Sequence, residues 1–118
     1  NPDNAMVLNN HAYYLALSGE GLERALECST RALELSPSSA NLMDTHAWVL
    51  YKLGRFAEAQ DYITQALISS AESGPAFFEH DGDIRAAMGD QEGAINSWKR
   101  ALEMGGDAKS LTPKIQQK

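Results

Sequence analysis

The sequence has a single cysteine, Cys28, among its 118 residues, so it can form no disulfide within the chain and no cysteine-rich metal site. Basic residues are also scarce, since 10 Lys and Arg against 16 Asp and Glu give a formal net charge of −6. This balance argues against binding to nucleic acid, because phosphate contacts need clustered cations. No apolar run approaches the roughly 20 residues that a membrane-spanning helix requires. With 43% hydrophobic residues, the chain is predicted to form one globular domain over residues 1–118.

A repeat of 35 residues runs through the chain. Gly19, Gly54 and Gly89 are spaced at this interval, and each lies between two apolar stretches. Glycine readily adopts the left-handed conformation that ends a helix, so each of the three predicts a turn between two helices. Gly82 is predicted to lie within a helix and to permit close contact with a neighbouring helix.

After each turn glycine, two alanines follow seven residues apart. Residues seven apart lie on one stripe of a helix, where a neighbouring helix can approach closely. The pairs are Ala25 with Ala32, Ala59 with Ala66, and Ala94 with Ala101. The sequence therefore predicts a packing seam of small residues on the second helix of every repeat.

This sequence pattern resembles the tetratricopeptide repeat (TPR), a pair of helices that recurs about every 34 residues. The closest match is WVLYKLGRFAEA at residues 48–59, and the first repeat ends with the familiar ALELSP at residues 32–37. The resemblance implies an all-α fold, a right-handed α-solenoid of three repeats at about 4–37, 39–71 and 75–106. Residues 107–118 are then the start of a truncated capping helix. Because Pro2 precedes Pro37 by 35 residues, residues 1–4 are expected to close an earlier repeat.

The same alignment predicts helices at about 4–18, 22–35, 39–53, 56–70, 75–88 and 91–104. The second repeat lacks a closing proline, and the third ends in Gly105 and Gly106, so the connections at 69–75 and at these glycines are expected to be looser. Thr112 followed by Pro113 predicts the first turn of the capping helix, because a hydroxyl can cap a helix and proline suits its first position.

By the resemblance, the first helices of the repeats line a concave surface that binds a peptide or a segment of a partner protein. The side chains expected there are Asn9, Tyr13, Asp44, Trp48, Tyr51, Glu79 and Asp83, with Lys52 and His80 at its border. Aromatic anchors and carboxylates favour a partner with apolar and basic side chains. The alternative is that Tyr13 and Trp48 pack against neighbouring helices and the acids only solvate a face.

Some TPR proteins grip the carboxylate of chaperone tails with a clamp of Lys, Asn and Arg. The matching places here are occupied by Asn9, Tyr13, Thr45, Ala76 and His80, so the basic grip is absent. The sequence therefore argues against binding of chaperone tails.

A metal or catalytic site is the competing hypothesis from another class, since His11, His46 and Asp81 occupy equivalent places in the three repeats. Neighbouring helix axes lie about 8–10 Å apart, so three such residues can hardly converge on one ion, and hydrogen bonding of each side chain within its own helix pair is favoured. We accordingly predict no catalytic residue, metal or cofactor, and we interpret Cys28 as a packing residue. Further alternatives are a structural spacer or self-association through terminal repeats with exposed apolar faces. A bacterial origin is expected, with the cytoplasm and the cell envelope both open as the location.

Overall fold

The computed structural model describes residues 4–69 and 74–116, and seven helices follow one another along them. They are α1 (Ala5–Ser18), α2 (Leu22–Leu35), α3 (Ala40–Lys52), α4 (Phe56–Ser69), α5 (Pro75–Ala87), α6 (Gln91–Glu103) and α7 (Ala108–Ile115). The described residues contain no strand, so the predicted all-α class is confirmed. The expectations for residues 1–3, 70–73 and 117–118 lie outside the described residues.

Helix ends are set by local chemistry. Gly19, Gly54 and Gly89 have φ values of 77°, 83° and 88°, which confirms the predicted left-handed turns. At the other end of α1, the side chain of Asn4 accepts hydrogen bonds from the amides of Met6 and Val7 at 2.9 and 3.2 Å. Such caps satisfy amides that the helix itself leaves without partners.

The helices form a stack of pairs. Helices α1, α3 and α5 each pack against the helix that follows, while α2 packs on α3, α4 on α5 and α6 on α7. The first helices α1, α3 and α5 also contact one another in sequence along the stack. We call the surface formed by these three helices the first-helix face.

The alanine seam is confirmed, because all six of its side chains are fully buried. Gly82 is part of the same packing: a Cβ at this residue would lie only 2.4 Å from two ring atoms of Trp98 and 3.0 Å from the carbonyl oxygen of Ala94. Helices α5 and α6 therefore approach closely at this glycine, as the sequence predicted.

Two predictions about the carboxyl-terminal end are wrong. Helix α7 begins at Ala108 instead of Thr112, because Asp107 caps it by accepting from the amide of Lys109 at 3.0 Å. The earlier start also buries Leu111 completely against α6, and Pro113 lies inside the helix.

The connection at Gly105 and Gly106 is tight, not loose. The amide of Gly106 donates to Ala101 at 2.9 Å and that of Gly105 to Leu102 at 3.0 Å. A Cβ at Gly106 would lie 2.7 Å from the side chain of Leu111, so glycine permits the close packing of α7 here.

Candidate functional site

The first-helix face contains a cavity of about 230 Å³. Residues from all three first helices line it, namely Met6, Asn9, Asn10, Tyr13, Asn41, Asp44, Thr45, Ala76 and His80. Three residues predicted for the binding surface, Asn9, Tyr13 and Asp44, are thus brought together. The other four, Trp48, Tyr51, Glu79 and Asp83, lie outside the cavity lining.

A pair of side chains joins α3 to α5 at the cavity. The imidazole Nδ1 of His80 lies 2.8 Å from Oδ1 of Asp44, and the two side chains are only 12% and 11% exposed. Asp44 is the one acidic residue among the described residues that line the cavity, and none of these is Lys or Arg.

Trp48 is held in an aromatic column beside the cavity. Its ring stacks on His80, with centroids 4.3 Å apart, and on Tyr51, with centroids 4.9 Å apart. The ammonium of Lys52 lies 5.0 Å from the ring centroid of Trp48. The indole Nε1 is buried and has no hydrogen-bond partner among the described residues. Trp48 is thus partly a packing residue, as the alternative interpretation held, although it remains half-buried.

Glu79 and Asp83 contact a cation within the chain. Nζ of Lys114, on α7, lies 2.8 Å from Glu79 and 2.9 Å from Asp83, and Ser110 donates to Glu79 at 2.8 Å. Burial alone would raise the pKa of Glu79, but the hydrogen bonds from Lys114 and Ser110 outweigh it and lower that pKa. Burial alone would lower the pKa of Lys114, but the hydrogen bonds to its two carboxylate partners outweigh burial and raise that pKa. The single positive charge of Lys114 therefore offsets one of the two negative charges of these acids.

Sequence reasoning did not find Lys114 because the capping helix was expected to begin too late. One signal was present in the chain: Lys114 follows Glu79 by 35 residues, which is the period of the repeat.

The buried histidine of the proposed metal column has a partner of another kind. His46 Nδ1 lies 2.7 Å from the hydroxyl of Ser29, and the ring meets Tyr62 edge-on at 4.5 Å. Burial lowers the pKa of His46, the positive charge of Arg55 lowers it further, and Glu58 acts in the opposite direction. The hydrogen bond of His46 therefore joins α3 to α2 of the preceding pair, so the expectation that it stays within its own helix pair is wrong.

Asp81 is satisfied separately. It accepts hydrogen bonds from Gln60 and Arg85, each at 2.9 Å, and from Ser97. His11, the third member of the column, is exposed. Throughout residues 4–69 and 74–116, no three His, Cys, Asp or Glu side chains come together as ligands for a metal ion. In the same residues, no helix is long and apolar enough to cross a membrane.

Comparison with known proteins returned no matching family model. A TPR repeat-containing protein of Pseudomonas aeruginosa is 38% identical over 66 residues, which are 56% of this chain and 11% of that protein. The chain therefore matches only about a tenth of the length of this curated relative.

Among solved structures, the first TPR domain of human RPAP3 has a TM-score of 0.85 at 22% identity, covering 98% of this chain and 90% of that one. YrrB, described as a TPR protein with an unusual peptide-binding site, has a TM-score of 0.79 at 24% identity and covers 98% of this chain and 58% of that one. The first TPR of Spaghetti, solved with the HSP90 peptide SRMEEVD, has a TM-score of 0.84 at 22% identity, with coverages of 98% and 90%. The helix pairs and these similarities show that the chain has the fold of TPR domains, an all-α solenoid of helical repeats.

Proposed function

We propose that this chain is a protein-interaction scaffold that binds a peptide or partner segment on the concave side of the solenoid, at the first-helix face. The observation that carries the proposal is the cavity between α1, α3 and α5, which combines exposed apolar side chains with hydrogen-bonding groups. Solved structures of the same fold that contain bound peptides support it. Proteins of this fold are generally interaction modules without enzymatic activity.

The ligand we propose has basic and apolar side chains. Met6 and Tyr13, which line the cavity, are 55% and 40% exposed and offer apolar contact area. Asp44 supplies the negative charge of the cavity, and the net charge of −6 on the whole chain acts in the same direction. Glu79 and Asp83 contribute less to this preference than the sequence implied, because Lys114 already lies between them.

An acidic peptide such as SRMEEVD suits this cavity poorly. The five places that matched the chaperone-tail clamp carry no Lys or Arg, and all five of these residues line the cavity. A carboxylate placed there would lie near Asp44, so repulsion adds to the missing basic grip.

The test selects peptides from a random library on the immobilised protein and measures their affinity for two matched variants. Tyr13 lines the cavity and the adjacent Tyr14 does not, although both are exposed tyrosines of α1. We expect Tyr13→Ala to weaken binding by about tenfold, since aromatic anchors typically contribute 1 kcal/mol or more. Tyr14→Ala should leave binding unchanged.

Asp44→Asn is the electrostatic test, because it keeps an oxygen for His80 while removing the charge. We expect the selected peptides to be rich in Arg or Lys and to lose affinity for this variant. Acidic consensus peptides, or equal binding to Tyr13→Ala and the wild type, would contradict the proposal. The peptide SRMEEVD serves as the negative control.

A second candidate function is stacking or self-association through the outer side of α1. Val7 and Tyr14 are 54% and 73% exposed there, whereas Leu42 and Val49, which follow them by 35 residues, are 2% and 0% exposed. Val49 belongs to a hydrophobic cluster that includes residues of α2. In the second repeat, therefore, the second helix of the preceding repeat covers the position that Tyr14 has in α1.

Sedimentation of the wild type against Tyr14→Lys tests this surface. Loss of a dimer in this variant, but not in Tyr13→Lys, would support association through α1, and a monomeric wild type would exclude it. The similarity to the Pseudomonas aeruginosa protein supports a bacterial origin.

A further inference from the structure

Two side chains of α3 enclose a side chain that comes from the next first helix. Oδ1 of Asp44 accepts a hydrogen bond from Nδ1 of the His80 imidazole at 2.8 Å, and Trp48, one helical turn later, stacks on the same ring with centroids 4.3 Å apart. We call such a pair a clasp, meaning two residues four apart on one helix that hold one side chain of the next odd-numbered helix. The clasp of α3 is therefore filled by His80.

A similar arrangement occurs one repeat later, with the filling residue shifted by one position: Lys114 follows Glu79 by 35 residues, whereas His80 follows Asp44 by 36. Glu79 and Asp83, which follow Asp44 and Trp48 by 35 residues, hold Lys114 of α7 at 2.8 and 2.9 Å. Both filled clasps thus contain a nitrogen-bearing side chain whose N–H groups face an oxygen of the first clasp member.

Among residues 4–69 and 74–116, no side chain fills the clasp of α1 in this way. Its members are Asn9 and Tyr13, which lie 35 residues before those of α3. The residues of α3 that correspond to His80 and Lys114 are Thr45 and Asp44, respectively. All four residues line the cavity, and Oδ1 of Asn9 is buried without a hydrogen-bond partner among the described residues.

We propose that the clasp of α1 binds an arginine side chain of the peptide, which takes the place that His80 and Lys114 take in the other two clasps. This inference rests on the proposed function and names the side chain that the cavity recognises.

Arginine fits for three reasons. Its guanidinium is planar and can stack on Tyr13, as the imidazole of His80 stacks on Trp48. Its five N–H groups provide the donor that Oδ1 of Asn9 lacks. Its positive charge is complementary to Asp44, which lines the same cavity.

The probe for this site is N-acetyl-L-argininamide, titrated into isotope-labelled protein and followed by NMR. We expect the amide signals of Asn9, Tyr13 and Thr45 to shift together and to saturate. N-acetyl-citrullinamide, which has nearly the same shape and no charge, should bind about tenfold more weakly, because a charge-assisted hydrogen bond is replaced by a neutral one. Equal binding of the two probes would overturn the inference.

Two variants of the chain test the clasp itself. Thr45→Lys places a cation at the residue of α3 that corresponds to His80, and it should abolish binding of the probe. Thr30→Lys is the matched control, since it adds the same charge at an exposed residue of α2 and should bind the probe as the wild type does.

Asn9→Asp tests the clasp by a gain of affinity and does not depend on how Thr45→Lys folds. It gives α1 the acidic residue that α3 and α5 have at this place, and we expect about tenfold tighter binding of the probe. Unchanged or weaker binding would overturn the inference.

The outcomes separate this inference from the proposed function. Library peptides that need Tyr13 but contain no arginine, and that bind Thr45→Lys normally, would refute the clasp while supporting the binding face. Peptides that are insensitive to both residues would refute the two together.

Discussion

Replacing Gly82 by alanine tests the close approach of α5 and α6, on which the position of the acids of α5 depends. Alanine is the better helix former, by about 1 kcal/mol, so local propensity predicts that Gly82→Ala stabilises the protein. The structure predicts the opposite. The new methyl group would lie 2.4 Å from two ring atoms of Trp98, whereas ordinary contacts begin near 3.4 Å.

The expected magnitude follows from what must move. Trp98 is only 3% exposed, so its ring cannot swing into solvent without losing its packing. Overpacking of this kind costs about 1–3 kcal/mol. A shifted ring also weakens the hydrogen bond from Nε1 to Asp83, 3.1 Å long, which contributes about 1 kcal/mol. After subtracting the gain in helix propensity, we expect Gly82→Ala to lower the free energy of unfolding by about 1–3 kcal/mol.

Urea unfolding followed by circular dichroism and by tryptophan fluorescence measures this change. Trp98→Leu is the partner variant, and in the double variant the penalty of Gly82→Ala should largely disappear, because the clashing ring is gone. A Gly82→Ala protein that is as stable as the wild type, or more stable, would refute the packing argument.

Acid should destabilise the fold partly through His46. Because burial lowers the pKa of this histidine, the unfolded chain binds a proton near pH 6.5 that the folded chain does not, and stability is lost as the pH falls below that value. Between pH 7.5 and 5.5, the free energy of unfolding measured with urea should fall less for His46→Gln than for the wild type. An identical fall would contradict this role of His46. Lys114→Met should leave Glu79 and Asp83 without their cation, raise the pKa of Glu79 and free α7, at a cost of about 1–2 kcal/mol. Hydrogen exchange should then be faster in α7 than in α1, and uniform exchange would argue against this role of Lys114.

The helices could be predicted from the sequence because their signals are local. Turn glycines act through their own backbone conformation, and the alanine seam acts through side-chain size at a fixed helical spacing. Both signals recur every 35 residues, which gave the phase of the repeats and brought the predicted ends of the described helices close to those observed.

The carboxyl-terminal helix could not be placed in this way. Local rules allow two helix starts here, one at Asp107 and the other at Thr112 followed by Pro113. The choice between them depends on the burial of Leu111 against α6, which is a contact between distant residues.

The sequence by itself determined the fold class, the period and the residues that share the first-helix face, since these depend on backbone preference and helical spacing. It did not determine which carboxylates of that face remain available to a ligand. That was decided by the tertiary structure, because Lys114 reaches back from α7 to Glu79 and Asp83, whereas Asp44 is paired with a histidine and lines the cavity. The availability of a charge depends on the reach of its spatial neighbours, and these neighbours are defined only once the helices have stacked.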